Sequence, residues 1–192
     1  EFRRVLFRST PTPVALIVSF PSNPTAQVVD LNFYKEVVKI ALKHQVYVLS
    51  DLAYAEIYYD KSPPPSILQV PKAKNIAVEF TSMSKTYAMA GWRIGYAVGN
   101  PKLIAALSKI KSYLDYGAFT PIQVAAATAL NGSQKCVSEI RSTYKSRRDV
   151  LMESMARAGW NIPVPQASMF AWAPIPKKYQ NKGSLKFARD LM

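Results

Sequence analysis

Apolar positions form short unbroken runs up to about residue 100 and then take the spacing of one helix face. Residues 14–20 (VALIVSF) are apolar but for one serine, the pattern of a strand buried on both faces. The turn-rich stretch Pro21-Ser22-Asn23-Pro24-Thr25 follows. Asp30 stands where an N-cap belongs, ahead of Leu31, Phe33, Val37, Val38, Ile40 and Ala41, whose spacing predicts a helix. Residues 46–49 predict a second buried strand, ending at Ser50-Asp51. Residues 53–57 predict a short helical turn before the loop Pro63-Pro64-Pro65. Residues 76–80 and 93–98 predict two more strands, and Gly99-Asn100-Pro101 breaks the last of them. Helices are then expected over 103–113, 122–130 and 137–158, with Gly159 as the C-cap of the third. Residues 168–174 (SMFAWAP) read as a strand, and 183–192 open a final helix.

Strand–helix–strand alternation predicts an α/β fold with a mostly parallel sheet. The helix over 137–158 reads as a bridge into a second, smaller domain. Ligands in such folds sit beyond the C-terminal ends of the strands. Three predicted strands end in polar clusters there: Asn23 after the first, Asp51 and Tyr54 after the second, and Ser82, Ser84 and Lys85 after the third.

Composition narrows the class. The chain has 192 residues, 49% of them hydrophobic, with 3 Trp, 11 Tyr and 8 Phe, so it can bury a core and is not read as disordered. The single Cys136 excludes an internal disulfide framework, and it reads as packed or half-exposed without redox duty. No apolar run approaches the ~18 residues needed to span a bilayer. A cytoplasm-like compartment, no membrane partner and no metal site are expected. Lys and Arg number 25 against 12 Asp and Glu, a formal charge of +13. The densest cluster, Lys145, Arg147 and Arg148, shares a helical pattern with Glu139, Asp149 and Glu153 and reads as a solvated face. No zinc-finger spacing or RNA-binding aromatic motif appears, so nucleic acid is not an expected partner. His44 reads as a capping or surface residue, and Trp92, Trp160 and Trp172 as packing residues. Residues 1–9 (EFRRVLFRS) mimic a targeting leader, but Pro11 and Pro13 interrupt it and no small-residue cleavage site follows. They read as a cloning or assembly scar.

The stretch from Thr81 to Arg93 (TSMSKTYAMAGWR) is the most informative. Ser82-x-x-Lys85 matches the spacing of penicillin-interacting serine enzymes, but no Ser-Asp-Asn or Lys-Thr-Gly companion exists. A Schiff-base lysine fits better, since a buried or cation-flanked Lys becomes a nucleophilic amine. Arg93 supplies a cation that can also bind phosphate, Ser82 and Ser84 supply hydroxyls, and Asp51 can pair with a protonated ring nitrogen. Together these suit pyridoxal 5′-phosphate.

In these motifs the chain resembles the class I/II aminotransferases, pyridoxal-phosphate enzymes of fold type I. The resemblance is carried by Asn23-Pro24-Thr25, Asp51-x-x-Tyr54, Ser82-x-Ser84-Lys85, Arg93-x-Gly95-Tyr96 and the run from Pro165 to Phe170. It implies that Lys85 is catalytic, holding the cofactor through a Schiff base and then moving a proton between the substrate α-carbon and the cofactor. It implies that Asp51 keeps the pyridine nitrogen protonated, and that Tyr54 and Asn23 hydrogen-bond the ring oxygen. Ser82, Arg93 and Ser84 would bind phosphate, and Asn23 would also touch the substrate carboxylate. Ala26 departs from the glycine usual in the family, a change expected to restrict the turn only slightly.

The same resemblance divides the chain into 10–150, part of the large cofactor-binding domain, and 151–192, the start of the small one. It implies a fragment of a longer homodimeric protein, inactive by itself. The run from Lys111 to Gly117, then Thr120 to Ala126, is most similar to glutamate–pyruvate (alanine) transaminases. Amino acids and 2-oxo acids are then the substrates. Alternatives are an aspartate or LL-diaminopimelate aminotransferase, a β-lyase using the same lysine and cofactor, or a non-enzymatic regulator domain of the same fold. No Arg lies between Lys111 and Gln123 to grip a second carboxylate, which disfavours aspartate.

Overall fold

A computed structural model describes Pro11 and residues 13–60 and 62–192. The expected scar over 1–9 lies outside the described residues. Four strands, β1 (Ala15–Ser19), β2 (Tyr47–Asp51), β3 (Ala77–Ser82) and β4 (Gly95–Gly99), form one sheet in the order β1-β2-β3-β4. The first three run parallel and β4 returns antiparallel to β3. The mostly parallel α/β sheet is therefore present, with one reversed strand.

Helix α1 (Leu31–His44) makes the crossover from β1 to β2. The Asp30 carboxylate accepts from the Phe33 backbone N–H at 2.8 Å, as its N-cap position predicts. Lys43 and His44 in its last turn face the negative end of the helix dipole. Its buried face, Tyr34, Val37, Val38 and Ala41, packs on Val18, Val48 and Ala77 of the sheet, with Ile67, Val70 and Ile76 closing the core. Each aliphatic side chain fully buried there contributes about 1.5–3 kcal/mol.

Helices α3 (Pro101–Leu114), α4 (Thr120–Asn131) and α5 (Lys135–Arg157) follow the sheet, and α6 (Gly183–Leu191) ends the chain. Asn100 caps α3 by accepting from the N–H groups of Lys102 and Leu103. Gly159, with φ +76°, stops α5: its N–H reaches Ala156 O, and the Trp160 N–H reaches Met155 O. That pair of bonds is a Schellman cap, which glycine adopts without steric penalty.

Several expectations are corrected. Strand β1 is not buried on both faces: Ile17 is 72% exposed, because among the described residues α1 covers only the face that carries Val18. Residues 53–57 form successive turns, not a helix, closed by Ala55 N–H to Leu52 O and Ile57 N–H to Tyr54 O. Residues 168–174 form no strand among the described residues, since only Ala167 bridges another segment, at Tyr58. Trp92 and Trp172 are exposed, while Trp160 donates to Pro174 O at 2.9 Å and meets Phe187 edge-to-face. Arg148 is no solvated charge: it donates to Pro165 O at 3.1 Å and lies over the Tyr59 ring. Cys136 is exposed.

Candidate active site

The register of the parallel strands builds the site. Ser19 pairs with Asp51, and Asp51 with Phe80, so the ends of β1, β2 and β3 stand side by side. The Ser19 hydroxyl donates to Asp51 Oδ2 at 3.1 Å, and the Ala53 N–H donates to Asp51 Oδ1 at 3.1 Å. The carboxylate is thus fixed by both of its oxygens. The turn after it places Tyr54 where 8% of its surface remains exposed, with its ring edge-to-face on Phe170 at 5.5 Å.

Beyond β1 the loop 22–27 folds on itself. Ser22 meets Thr25 hydroxyl to hydroxyl, its Oγ accepts from the Gln27 N–H, and its backbone bonds Ala26 and Gln27. This presents Asn23, whose Nδ2 donates to the Tyr54 hydroxyl at 3.4 Å. Burial raises the Tyr54 pKa; the Asn23 hydrogen bond lowers it in part, and the Asp51 charge raises it again. Ala26 takes the left-handed conformation, φ +56°, while buried. The alanine is therefore strained, and the expectation of a slight restriction understates its cost.

After β3 comes the four-residue helix α2 (Met83–Thr86). Ser82 caps it, its hydroxyl accepting from the Ser84 N–H at 3.2 Å. Lys85 is half-buried on its last turn and makes no hydrogen bond or ion pair with Asn23, Asp51 or Tyr54. Ser82 pairs with Gly95 across the β3–β4 ladder, and the Met83 N–H donates to Ile94 O at 3.2 Å. Lys85 and Arg93 consequently stand at the two roots of one connection. Arg93 is exposed, takes φ +51°, and donates to Ala90 O at 2.9 Å. Its guanidinium is thus engaged with its own turn.

Gly95 explains part of the Arg93-x-Gly95-Tyr96 motif. A Cβ built there falls 2.5 Å from Thr81 O, so only glycine lets β4 lie this close to β3 beside Ser82. A cavity of about 370 Å³ is lined by Ser82 with Glu79, Tyr87 and Arg141; Asn23, Asp51, Lys85 and Arg93 do not line it. Asn23, Asp51 and Arg93 are exposed and Lys85 is half-buried.

Sequence reading missed Ser19 and Arg141, gave Phe170 no role beyond its place in the resemblance, and took Arg148 for a solvated charge. Ser19 carried a signal, the lone hydroxyl within an apolar run. Arg141, which pairs with Glu56 at 2.8 Å and covers Tyr58 at 3.9 Å, looked like any helix-surface cation. Arg148 looked the same.

The chain belongs to the aminotransferase class I and II family, whose model matches residues 6–192. It is 60% identical to the AatC protein of Rhizobium meliloti over 98% of this chain and 47% of that one. It is 54% identical to the glutamate-pyruvate aminotransferase AlaC of Escherichia coli over 100% of this chain and 47% of that one. It is 44% identical to the LL-diaminopimelate aminotransferase of Moorella thermoacetica over 85% of this chain and 42% of that one. A solved aminotransferase from Staphylococcus aureus superposes with a TM-score of 0.85 at 30% identity, over 93% of this chain and 46% of the other. The chain thus spans about half the length of the curated relatives it matches. The architecture is that of fold type I.

Proposed function

We propose that this chain is the cofactor-holding part of a pyridoxal-phosphate-dependent transaminase that moves an amino group between an alanine- or glutamate-like L-amino acid and a 2-oxo acid. The observation that carries the reading is the convergence of three parallel strand ends on one edge. They deliver the Asn23–Tyr54 hydrogen bond, the doubly held Asp51 carboxylate and the Ser82–Lys85 turn. A free amine, a fixed carboxylate, a phenol and a hydroxyl–guanidinium pair are the donor set that pyridoxal 5′-phosphate requires. The substrate assignment is supported by the likeness to the glutamate-pyruvate enzyme.

When bound, the cofactor supplies an aldehyde for an amine and a ring that accepts the electrons left on the substrate α-carbon. Lys85 Nζ is the amine that takes the α-proton and returns it elsewhere. Asp51 holds a proton on the ring nitrogen through its carboxylate. Burial keeps the Tyr54 hydroxyl protonated, so it can donate to the ring oxygen alongside Asn23. Ser82, Ser84 and Arg93 bind the phosphate group. In this reading 10–150 belongs to the large domain and 151–192 begins the small one. The complete enzyme is a cytoplasmic homodimer, and this chain alone does not turn over. The LL-diaminopimelate relatives make that amino acid the second substrate to try.

Imine trapping tests the reading. The protein is mixed with pyridoxal 5′-phosphate and reduced with borohydride, and the labelled peptide is mapped by mass. Label on Lys85, weakened by Asp51→Ala, is the expected result; label scattered over many lysines overturns it. Products formed from alanine and 2-oxoglutarate, against those from a cysteine conjugate, separate a transaminase from a β-lyase.

A further inference from the structure

Residues 165–170 are distant from Tyr54 in sequence yet are fastened to the turns that follow it. The Ser168 N–H donates to Ile57 O at 2.7 Å and the Tyr59 N–H to Gln166 O at 2.9 Å, either side of the Tyr58–Ala167 bridge. The Tyr59 hydroxyl donates to Ser168 O at 2.6 Å. Arg148 holds Pro165 O from the α5 side and places its guanidinium 4.5 Å from the Tyr59 ring centroid. Within this strap Ser168 is left-handed, φ +70°, and buried. A serine keeps that conformation only where its surroundings over-determine it. The turn aims Phe170 at Tyr54, and the rings meet at an interplanar angle of 70°. Edge-to-face geometry is the arrangement ring quadrupoles favour. It holds the Tyr54 ring where its hydroxyl faces Asn23.

We propose that Phe170 is a positioning residue for Tyr54, delivered by the left-handed turn at Ser168, and that it governs the hydrogen bond Tyr54 donates to the cofactor's ring oxygen. The inference rests on the cofactor reading above. A phenol donating to an anionic oxygen stabilises the form in which that oxygen carries the charge. It therefore lowers the pH at which the bound cofactor gives up its proton. A Tyr54 ring released from Phe170 samples more orientations, donates less well, and lets that midpoint rise.

The test is the absorbance titration of bound pyridoxal 5′-phosphate against pH, on the protein in its complete reading frame. Tyr54→Phe raises the midpoint. Phe170→Leu raises it in the same direction by about half a unit to one unit, the scale of a ring-pair contribution. The double variant goes no higher than Tyr54→Phe alone, because Phe170 acts only through Tyr54. Phe170→Tyr, which keeps the ring, restores the original midpoint. A Phe170→Leu protein with an unchanged midpoint overturns the proposal, as do fully additive shifts or an unshifted Tyr54→Phe. In those cases cofactor held at Lys85 leaves the functional reading intact. Failure of the unmutated protein to hold cofactor at Lys85 overturns both. If Phe170→Leu loses its cooperative melt, Phe170→Met carries the same comparison.

Discussion

Asn23 Nδ2 lies 3.4 Å from the Tyr54 hydroxyl, joining the loop after β1 to the turn after β2 across 31 positions of sequence. The bond opposes the effect of burial, which raises the Tyr54 pKa, while the Asp51 charge adds to burial. Asn23→Ala therefore raises the Tyr54 pKa further, and Asp51→Asn lowers it. Titration of ring-labelled tyrosine by NMR reads both shifts. Movement of either in the opposite direction rejects this electrostatic account.

Ala26 carries a positive φ in the loop that presents Asn23. Left-handed backbone costs an L-residue about 1–2 kcal/mol, partly offset by the greater unfolded-state entropy of glycine. Ala26→Gly is expected to stabilise the protein by about 1 kcal/mol in urea unfolding. A loss of stability would mean that the alanine side chain contributes more by packing than its backbone strain costs.

Gly95 faces Thr81 O too closely for any Cβ. Gly95→Ala pushes β4 away from β3 next to Ser82, with a cost of about 1–3 kcal/mol. On the proposed function, cofactor retention falls as well, because Ser82 pairs directly with Gly95 and Arg93 lies two residues before it. Thermal melts and the yield of trapped Lys85 peptide check the two parts separately.

Glu79 is 5% exposed, with its carboxylate held by the Ser66 hydroxyl at 2.8 Å and by the Ile67 N–H at 3.1 Å. Burial raises its pKa more than these donors lower it. The folded state therefore binds the proton more tightly than the unfolded chain. The resulting stabilisation is complete below the unfolded carboxyl value and is lost as pH rises through the folded one. Tyr34, pushed up to about 12 chiefly by burial, stays neutral throughout that range. Glu79→Gln should lose less stability than the unmutated protein between pH 4 and pH 7 in denaturant titrations. An identical pH dependence would show that Glu79 is not the titrating group.

Much of the candidate site was legible along the chain because its residues sit at strand ends, where an apolar run stops and polar side chains begin. Lys85, Asp51 and Asn23 each announce themselves in this way. The helix caps at Asp30, Asn100 and Gly159 were legible for a related reason, since each satisfies backbone groups within a few residues of itself. Strand β1 shows the limit. An unbroken apolar run reports that both faces favour burial, but not which element covers them, and Ile17 remains uncovered among the described residues.

The sequence by itself determined most of the local elements and the chemical types: the four strands of the sheet, though it also read a strand into 168–174, the capped helices α1 and α3, and a lysine with a carboxylate, a phenol and hydroxyls at strand ends. Only the tertiary structure decided the pairings. It placed β4 antiparallel, turned Arg93 onto its own loop, and fastened residues 165–170 through Tyr59 and Arg148 so that Phe170 meets Tyr54. Periodicity and capping arise from bonds between near neighbours and leave a mark in the sequence. Contacts between distant segments depend on sheet register and on left-handed turns such as Ser168, where nothing in the residue type signals the backbone it adopts.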